Sequence, residues 1–132
     1  SMISALGLGE RVRLTGFINK SSVSQYYAAA DTLVMASTWG ETWGLSVNEA
    51  MNFGLPVIVS DQCGCAADLV VQGSNGFVYP AGDTVALQAC IAALYAMPPH
   101  ARQTMGAESL SLVSKYSFDA IYHGLLKILP SA

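Results

Sequence analysis

Glu41-Thr42-Trp43-Gly44-Leu45-Ser46-Val47-Asn48-Glu49-Ala50-Met51-Asn52-Phe53-Gly54-Leu55-Pro56-Val57-Ile58-Val59-Ser60 is the stretch that decides the fold. The spacing predicts a helix from about Ser46 to Phe53, closed at Gly54 by the left-handed conformation that glycine adopts freely. Pro56 cannot extend that helix and can only open the β-branched strand Val57-Ile58-Val59. In a parallel α/β sheet, ligands collect where strands end and helices begin. Unpaired backbone N–H groups and the positive helix end face them there. Glu41 and Glu49 are separated by seven residues around such a helix mouth, with Gly44 between them. Acids so placed suit the hydroxyls of a neutral polyol, and the amides suit a phosphate, so the pattern suggests a sugar attached to a phosphate.

Outward from this segment, helix-period and strand-period stretches alternate, which predicts a parallel sheet covered by helices. Arg11 to Phe17 reads as a short strand. Ser22 with Gln25 reads as the cap of a helix running to about Ala30, and Thr32-Leu33-Val34-Met35 as a strand buried on both faces. Ser37 to Trp43 is a loop. Beyond Val59, Asp61 to Ala66 connects to a helical turn at Asp68-Leu69-Val70, and Asn75-Gly76 turns into the strand Phe77-Val78-Tyr79. Asp83 caps a helix with Val85, Leu87, Cys90, Ile91, Leu94 and Tyr95 along one stripe, ended by Pro98-Pro99. A further helix covers about Ala101 to Tyr116. The last begins near Ser117, with Phe118, Ile121, Tyr122, Leu125, Ile128 and Leu129 on one face.

The 132 residues are expected to form a single, partial domain, and 52% are hydrophobic against 11% charged, with a mean hydropathy of +0.41. So little charge scarcely covers an ordinary surface, which predicts an apolar face that meets something else. A net charge of −3 from 6 basic and 9 acidic side chains excludes the clustered cations that a phosphate backbone demands, so no nucleic acid partner is expected. No apolar run reaches the roughly 18 residues of a membrane span, and no secretory signal opens the chain, so a cytoplasmic location is expected. Ser1-Met2 resembles the remnant of a cleaved tag. Cys63, Cys65 and Cys90 lack metal-ligand spacing, and Cys63-Gly64-Cys65 is too tight for an ordinary bridge, so they read as reduced, buried thiols.

Two readings stand for each acid. Ser46-Val47-Asn48-Glu49 has the form of a capping box, in which Glu49 folds back onto the Ser46 N–H. Alternatively, a charged Glu49 in the first turn accepts two hydrogen bonds from a ribose diol. Glu41 is either a solvated loop acid or a cleft acid facing the hydroxyls or developing positive charge of a transferred sugar. Trp43, Gly44 and Leu45 would offer backbone N–H groups to a leaving phosphate. His100 and His123 receive no catalytic role, and Tyr26, Tyr27, Tyr95, Tyr116 and Tyr122 fit helix packing. Ser37 and Asp61, at strand ends, are further cleft candidates.

The chain resembles the carboxyl-terminal, donor-binding domain of a family 4 (group 1) retaining glycosyltransferase of GT-B architecture. The resemblance is carried by Val12-Arg13-Leu14-Thr15-Gly16-Phe17, Tyr26-Tyr27-Ala28-Ala29-Ala30-Asp31, the Glu41 and Glu49 pair followed by Ala50-Met51, Gly54-Leu55-Pro56-Val57-Ile58 and Gly76-Phe77-Val78-Tyr79-Pro80. It implies a Rossmann-like α/β domain of truncated GT-B type and a nucleotide-diphosphate sugar as donor. In that family's E-x7-E motif, Glu41 would be the catalytic-site acid on the donor sugar and Glu49 the acid on the ribose. Trp43, Gly44 and Leu45 would meet the diphosphate or sugar, and Gly16, Phe17 and Ile18 would border the base. The family generally uses no metal and no cofactor. Its diphosphate-gripping Arg/Lys pair, Gly-rich turn and amino-terminal acceptor domain lie outside this sequence. The expectation is therefore a fragment inactive alone, with peripheral membrane association through the missing part and dimerisation through the uncovered face. A sugar-nucleotide epimerase is the nearest enzymatic rival, and a non-catalytic nucleotide-sugar-binding or interaction module is the alternative of another class.

Overall fold

Three parallel strands, β1 (Leu33–Met35), β2 (Val57–Ser60) and β3 (Gly76–Tyr79), lie side by side in chain order in the computed structural model, which describes residues 1–39 and 41–128. Leu33, Val34 and Met35 pair with Val57, Ile58 and Val59, and Val57 to Ser60 pair in turn with Gly76 to Tyr79. Parallel neighbours need crossovers rather than tight turns. Helix α3 (Leu45–Asn52) supplies the first crossover and α4 (Ala66–Leu69) the second. The remaining helices are α1 (Met2–Ala5), α2 (Lys20–Ala29), α5 (Thr84–Ala96), α6 (Pro99–Val113) and α7 (Phe118–Ile128), with a 3-10 turn at Ser114–Tyr116. The result is the α/β, Rossmann-like layering that the alternating periods predict.

The central strand is buried at every residue, and its side chains alternate between two cores. Val57 and Val59 pack with Val47 and Met51 of α3, with Cys63 and Cys65 of the following loop, and with Leu69 of α4. Ile58 faces the other layer, onto Tyr79, Leu94 of α5 and Met105 of α6. A smaller cluster joins Tyr27 of α2 to Ala50 of α3 and to Leu55. Gly54 ends α3 at φ +67°, as its position after Phe53 predicts. Gly106 of α6 is pressed against it so closely that a β-carbon there would stand 2.0 Å from the Gly54 carbonyl oxygen.

Several expectations are corrected. Arg11 to Phe17 forms no strand; it pairs with none of the three strands of the described residues, and Leu14 and Phe17 are exposed. Helix α2 begins earlier than Ser22, because Asn19 already caps it by accepting from the Ser21 N–H at 3.3 Å. Strand β1 is an edge strand, so Val34 is exposed instead of buried on both faces. On α5, Leu94 is buried but Val85 and Tyr95 face solvent. Helix α6 starts at Pro99, whose missing N–H and fixed φ suit a first turn, and gives way to the 3-10 turn after Val113. On α7, Phe118, Ile121, Tyr122, Leu125 and Ile128 are exposed, matching the apolar face that the low charge predicts, while Leu129 lies outside the described residues.

Gly106→Ala tests the α3–α6 contact with a sign opposite to helix propensity. Alanine gains about 1 kcal/mol in a helix interior, yet overpacking against backbone costs about 1–3 kcal/mol. Chemical denaturation should show a net loss of stability, and a gain would mean the two segments have room to part.

Candidate active site

The loop between β1 and α3 is held from behind by main chain. The Gly64 N–H donates to the Glu41 carbonyl at 3.2 Å and the Cys65 N–H to the Trp43 carbonyl at 2.7 Å. Gly64 tolerates no side chain, since a β-carbon would lie 2.0 Å from the Thr42 carbonyl oxygen. Gly44, at φ +95°, then turns the chain into α3 as its N-cap, and a β-carbon on it would stand 2.6 Å from Cys63 Sγ. Cys63-Gly64-Cys65, whose cysteines the sequence marks only as reduced, buried thiols, therefore fixes the path from Glu41 to Gly44. The spacing gave no hint of it, because the partners are about twenty residues apart.

Helix α3 opens at Leu45, one residue earlier than predicted, and this decides the reading of Glu49. With Gly44 as N-cap, Ser46 is the second helical residue and Glu49 the fifth, so the capping box does not form and no acid occupies the first turn. The dipole that was to hold Glu49 charged falls off within that turn. Glu49 faces α2 instead, where its Oε2 accepts the Tyr27 hydroxyl at 3.1 Å. It shares a cavity of about 230 Å³ with Lys20, Ser24, Tyr27, Asn52 and Phe53. Glu41 is not among the walls of that cavity; it is half-buried in the loop.

The other candidates fall into place around these two acids. Trp43 is half-buried, its ring 6.0 Å from that of Tyr116, and lines a cavity of about 380 Å³ with Asn48, Lys115 and Ile121. Leu45 is exposed at the helix mouth, where the first N–H groups have no intrahelical acceptor. Gly16, Phe17 and Ile18 run into the cap of α2, whose first residue, Lys20, is a wall of the Glu49 cavity. The Ser37 carbonyl accepts the Ser60 hydroxyl, and Asp61 accepts the Ala81 N–H at 2.9 Å, so both strand-end candidates have structural partners. Of the tyrosines assigned to packing, Tyr27 is buried and Tyr26, Tyr95, Tyr116 and Tyr122 are exposed.

Cys63 and Cys65 are buried and reduced, with their sulfurs 3.6 Å apart, and Cys90 is half-buried rather than buried. Burial above all, then the Cys63 thiol and the nearby Glu41 charge, pushes the Cys65 thiol from an ordinary 9.0 up to about 12. The Tyr27 hydroxyl is also held above its usual value, mainly by burial and further by Glu49, against an opposing pull from Ser46. Among the described residues no three His, Cys, Asp or Glu side chains gather as metal ligands, and no helix is long and apolar enough to cross a membrane.

Comparison with known proteins gives a consistent result. The family described as glycosyl transferases group 1 matches residues 1–109. Sulfoquinovosyl transferase SQD2 of Arabidopsis thaliana is 32% identical over 111 residues, 80% of this chain and 21% of its own. Sucrose-phosphate synthase from Thermosynechococcus elongatus superposes with a TM-score of 0.82 at 28% identity, covering 96% of this chain and 31% of that one. Anabaena Alr3699/HepE, solved in complex with UDP, superposes at 0.80 with 28% identity over 96% of this chain and 35% of that one. The same Anabaena protein is also known in complex with UDP-glucose. The chain spans about a fifth to a third of the length of the curated relatives it matches.

Gly64→Ala should displace the Glu41 to Gly44 segment, seen as a changed tryptophan emission and a lower melting temperature; an unaltered spectrum and melting temperature would show that the clamp is loose. A thiol with a raised folded pKa leaves the folded state holding more protons than the unfolded one. Stability should therefore fall as pH rises from about 9 towards about 12. The fall should shrink in Cys65→Ala, and an equal fall in both proteins would clear Cys65 of responsibility.

Proposed function

The chain belongs to the group 1 glycosyl transferases, and from that membership we propose that it is the donor-binding half of a retaining family 4 enzyme that moves a sugar from a nucleoside diphosphate to an acceptor hydroxyl. The carrying observation is the main-chain clamp that fixes Glu41 to Gly44 at the mouth of α3. Complexes of a 28% identical relative with UDP and with UDP-glucose support a nucleotide-sugar donor.

In this reading the N–H groups of Trp43, Gly44 and Leu45 face the diphosphate or sugar, where they stabilise the negative charge that grows on the departing group. Glu41 accepts hydroxyls of the donor sugar beside the anomeric carbon. Glu49 accepts the ribose hydroxyls, and Gly16 to Ile18 border the base. The bond from the anomeric carbon to the phosphate oxygen breaks, the nucleoside diphosphate leaves with the electron pair, and the acceptor oxygen attacks from the same face. Its proton passes to the departing phosphate, so configuration is retained without metal or cofactor. The acceptor side, and further grip on the diphosphate, come from other parts of the parent protein, and the 132-residue chain alone is inactive.

The test is donor binding and turnover in the full-length protein with UDP-glucose as the first probe. Glu49→Ala should raise the donor KM roughly 10- to 100-fold, the range for losing hydrogen bonds to a charged group. Glu41→Ala should lower kcat by about 100-fold, the scale of one lost electrostatic stabiliser in a reacting site. Both variants behaving as wild type would end the donor-site assignment. Measurable glycosyl transfer by the 132-residue chain would end the claim that it is inactive alone.

A further inference from the structure

Among the described residues, Tyr27 is the one tyrosine that is both buried and bonded through its hydroxyl to an acid. The residue is 9% exposed, and its ring lies 5.6 Å from that of Phe53. Its hydroxyl crosses from α2 to α3 to reach Glu49 Oε2 at 3.1 Å. A phenol on a buried ring normally finds a partner, but here that partner is a carboxylate lining an open cavity, not a closed core. The bond occupies Oε2 and leaves Oε1 without a side-chain partner among the described residues. Burial and the adjacent carboxylate both keep the Tyr27 proton in place, so the hydroxyl acts as a donor throughout the neutral range.

We propose that Tyr27 is a positioning residue of the donor site: its O–H fixes the rotamer of Glu49 so that the carboxylate meets the vicinal 2′,3′-diol of a nucleoside diphosphate. This rests on the reading of Glu49 as the ribose acid. A free glutamate on a helix surface samples several rotamers, and immobilising one such side chain at binding opposes affinity. The Tyr27 bond places that ordering in the folded protein before the ligand arrives. The division of labour is geometric, since α3 sets the height of the carboxylate and α2, through one hydroxyl, sets its direction.

Tyr27→Phe removes the O–H and retains the ring and its contact with Phe53. In the full-length protein the variant should raise the KM for UDP-glucose about 5- to 10-fold, the size of one hydrogen bond, with a smaller change in kcat. Against a UDP-glucose analogue lacking the ribose 2′-hydroxyl, wild type and variant should differ by less than twofold, because the diol to be gripped is incomplete. In the Glu49→Ala background, Tyr27→Phe should add nothing. If Glu49→Ala itself binds the donor as wild type does, the reading of Glu49 fails and this proposal with it. If Glu49→Ala is impaired but Tyr27→Phe matches wild type, the positioning role alone fails. An equal penalty on the ribose and deoxyribose donors, or a variant that does not fold, would make Tyr27 a packing residue and overturn the proposal.

Discussion

The path of the chain from Glu41 into α3 depends on two main-chain hydrogen bonds, from the Gly64 N–H to Glu41 and from the Cys65 N–H to Trp43. They tie the loop after the edge strand β1 to the loop after the central strand β2, and β2 is the most thoroughly buried element of the sheet. A loop joined to an edge strand would ordinarily be among the more mobile parts of a domain. Here Glu41 and Trp43 are bonded to residues beside the core, because Cys63 and Cys65 belong to the same cluster as Val57, Val59 and Leu69. Such anchoring is what the proposed electrostatic role requires, since dipoles act without reorganising only if they are already held.

The fold was legible because its signals are local. Gly54 followed by Pro56 marks a helix stop and a strand start within three residues, and Asp83 announces α5 by accepting from the Val85 and Ala86 N–H groups. What misled was the competition between adjacent signals. Asn19 capped α2 before Ser22 could, and Gly44 capped α3 before Ser46 could, so a reading by the better-known capping residue started both helices late. The strand expected at Arg11 to Phe17 has the right alternation, but a ladder needs a neighbour and the pattern alone does not name one.

The proposed site was legible as a list of candidate residues and not as a set of contacts. Glu41, Trp43, Gly44, Leu45 and Glu49 are found from one continuous stretch, whereas Gly64, Cys65 and Tyr27 reach it from twenty or more residues away. The shift of α3 by a single position also changed the physics of Glu49. An acid expected to lean on the helix dipole leans on a neighbouring phenol instead. Tyr27 sits at helical spacing with Val23 and Ala30, and that spacing explains its ring but says nothing about its oxygen.

The stretch from Val12 to Asn19 carries a consequence for handling the protein. It has no ladder, it is largely exposed, and Arg11, Arg13 and Lys20 lie on or beside it. Proteases favour such unpaired, accessible backbone, so trypsin would nick the molecule there first. Cleavage after Arg13 would release only the amino-terminal piece that ends there, leaving Gly16, Phe17 and Ile18 as a loose tail on α2, with the three-stranded sheet and the Glu41 loop in the resistant core.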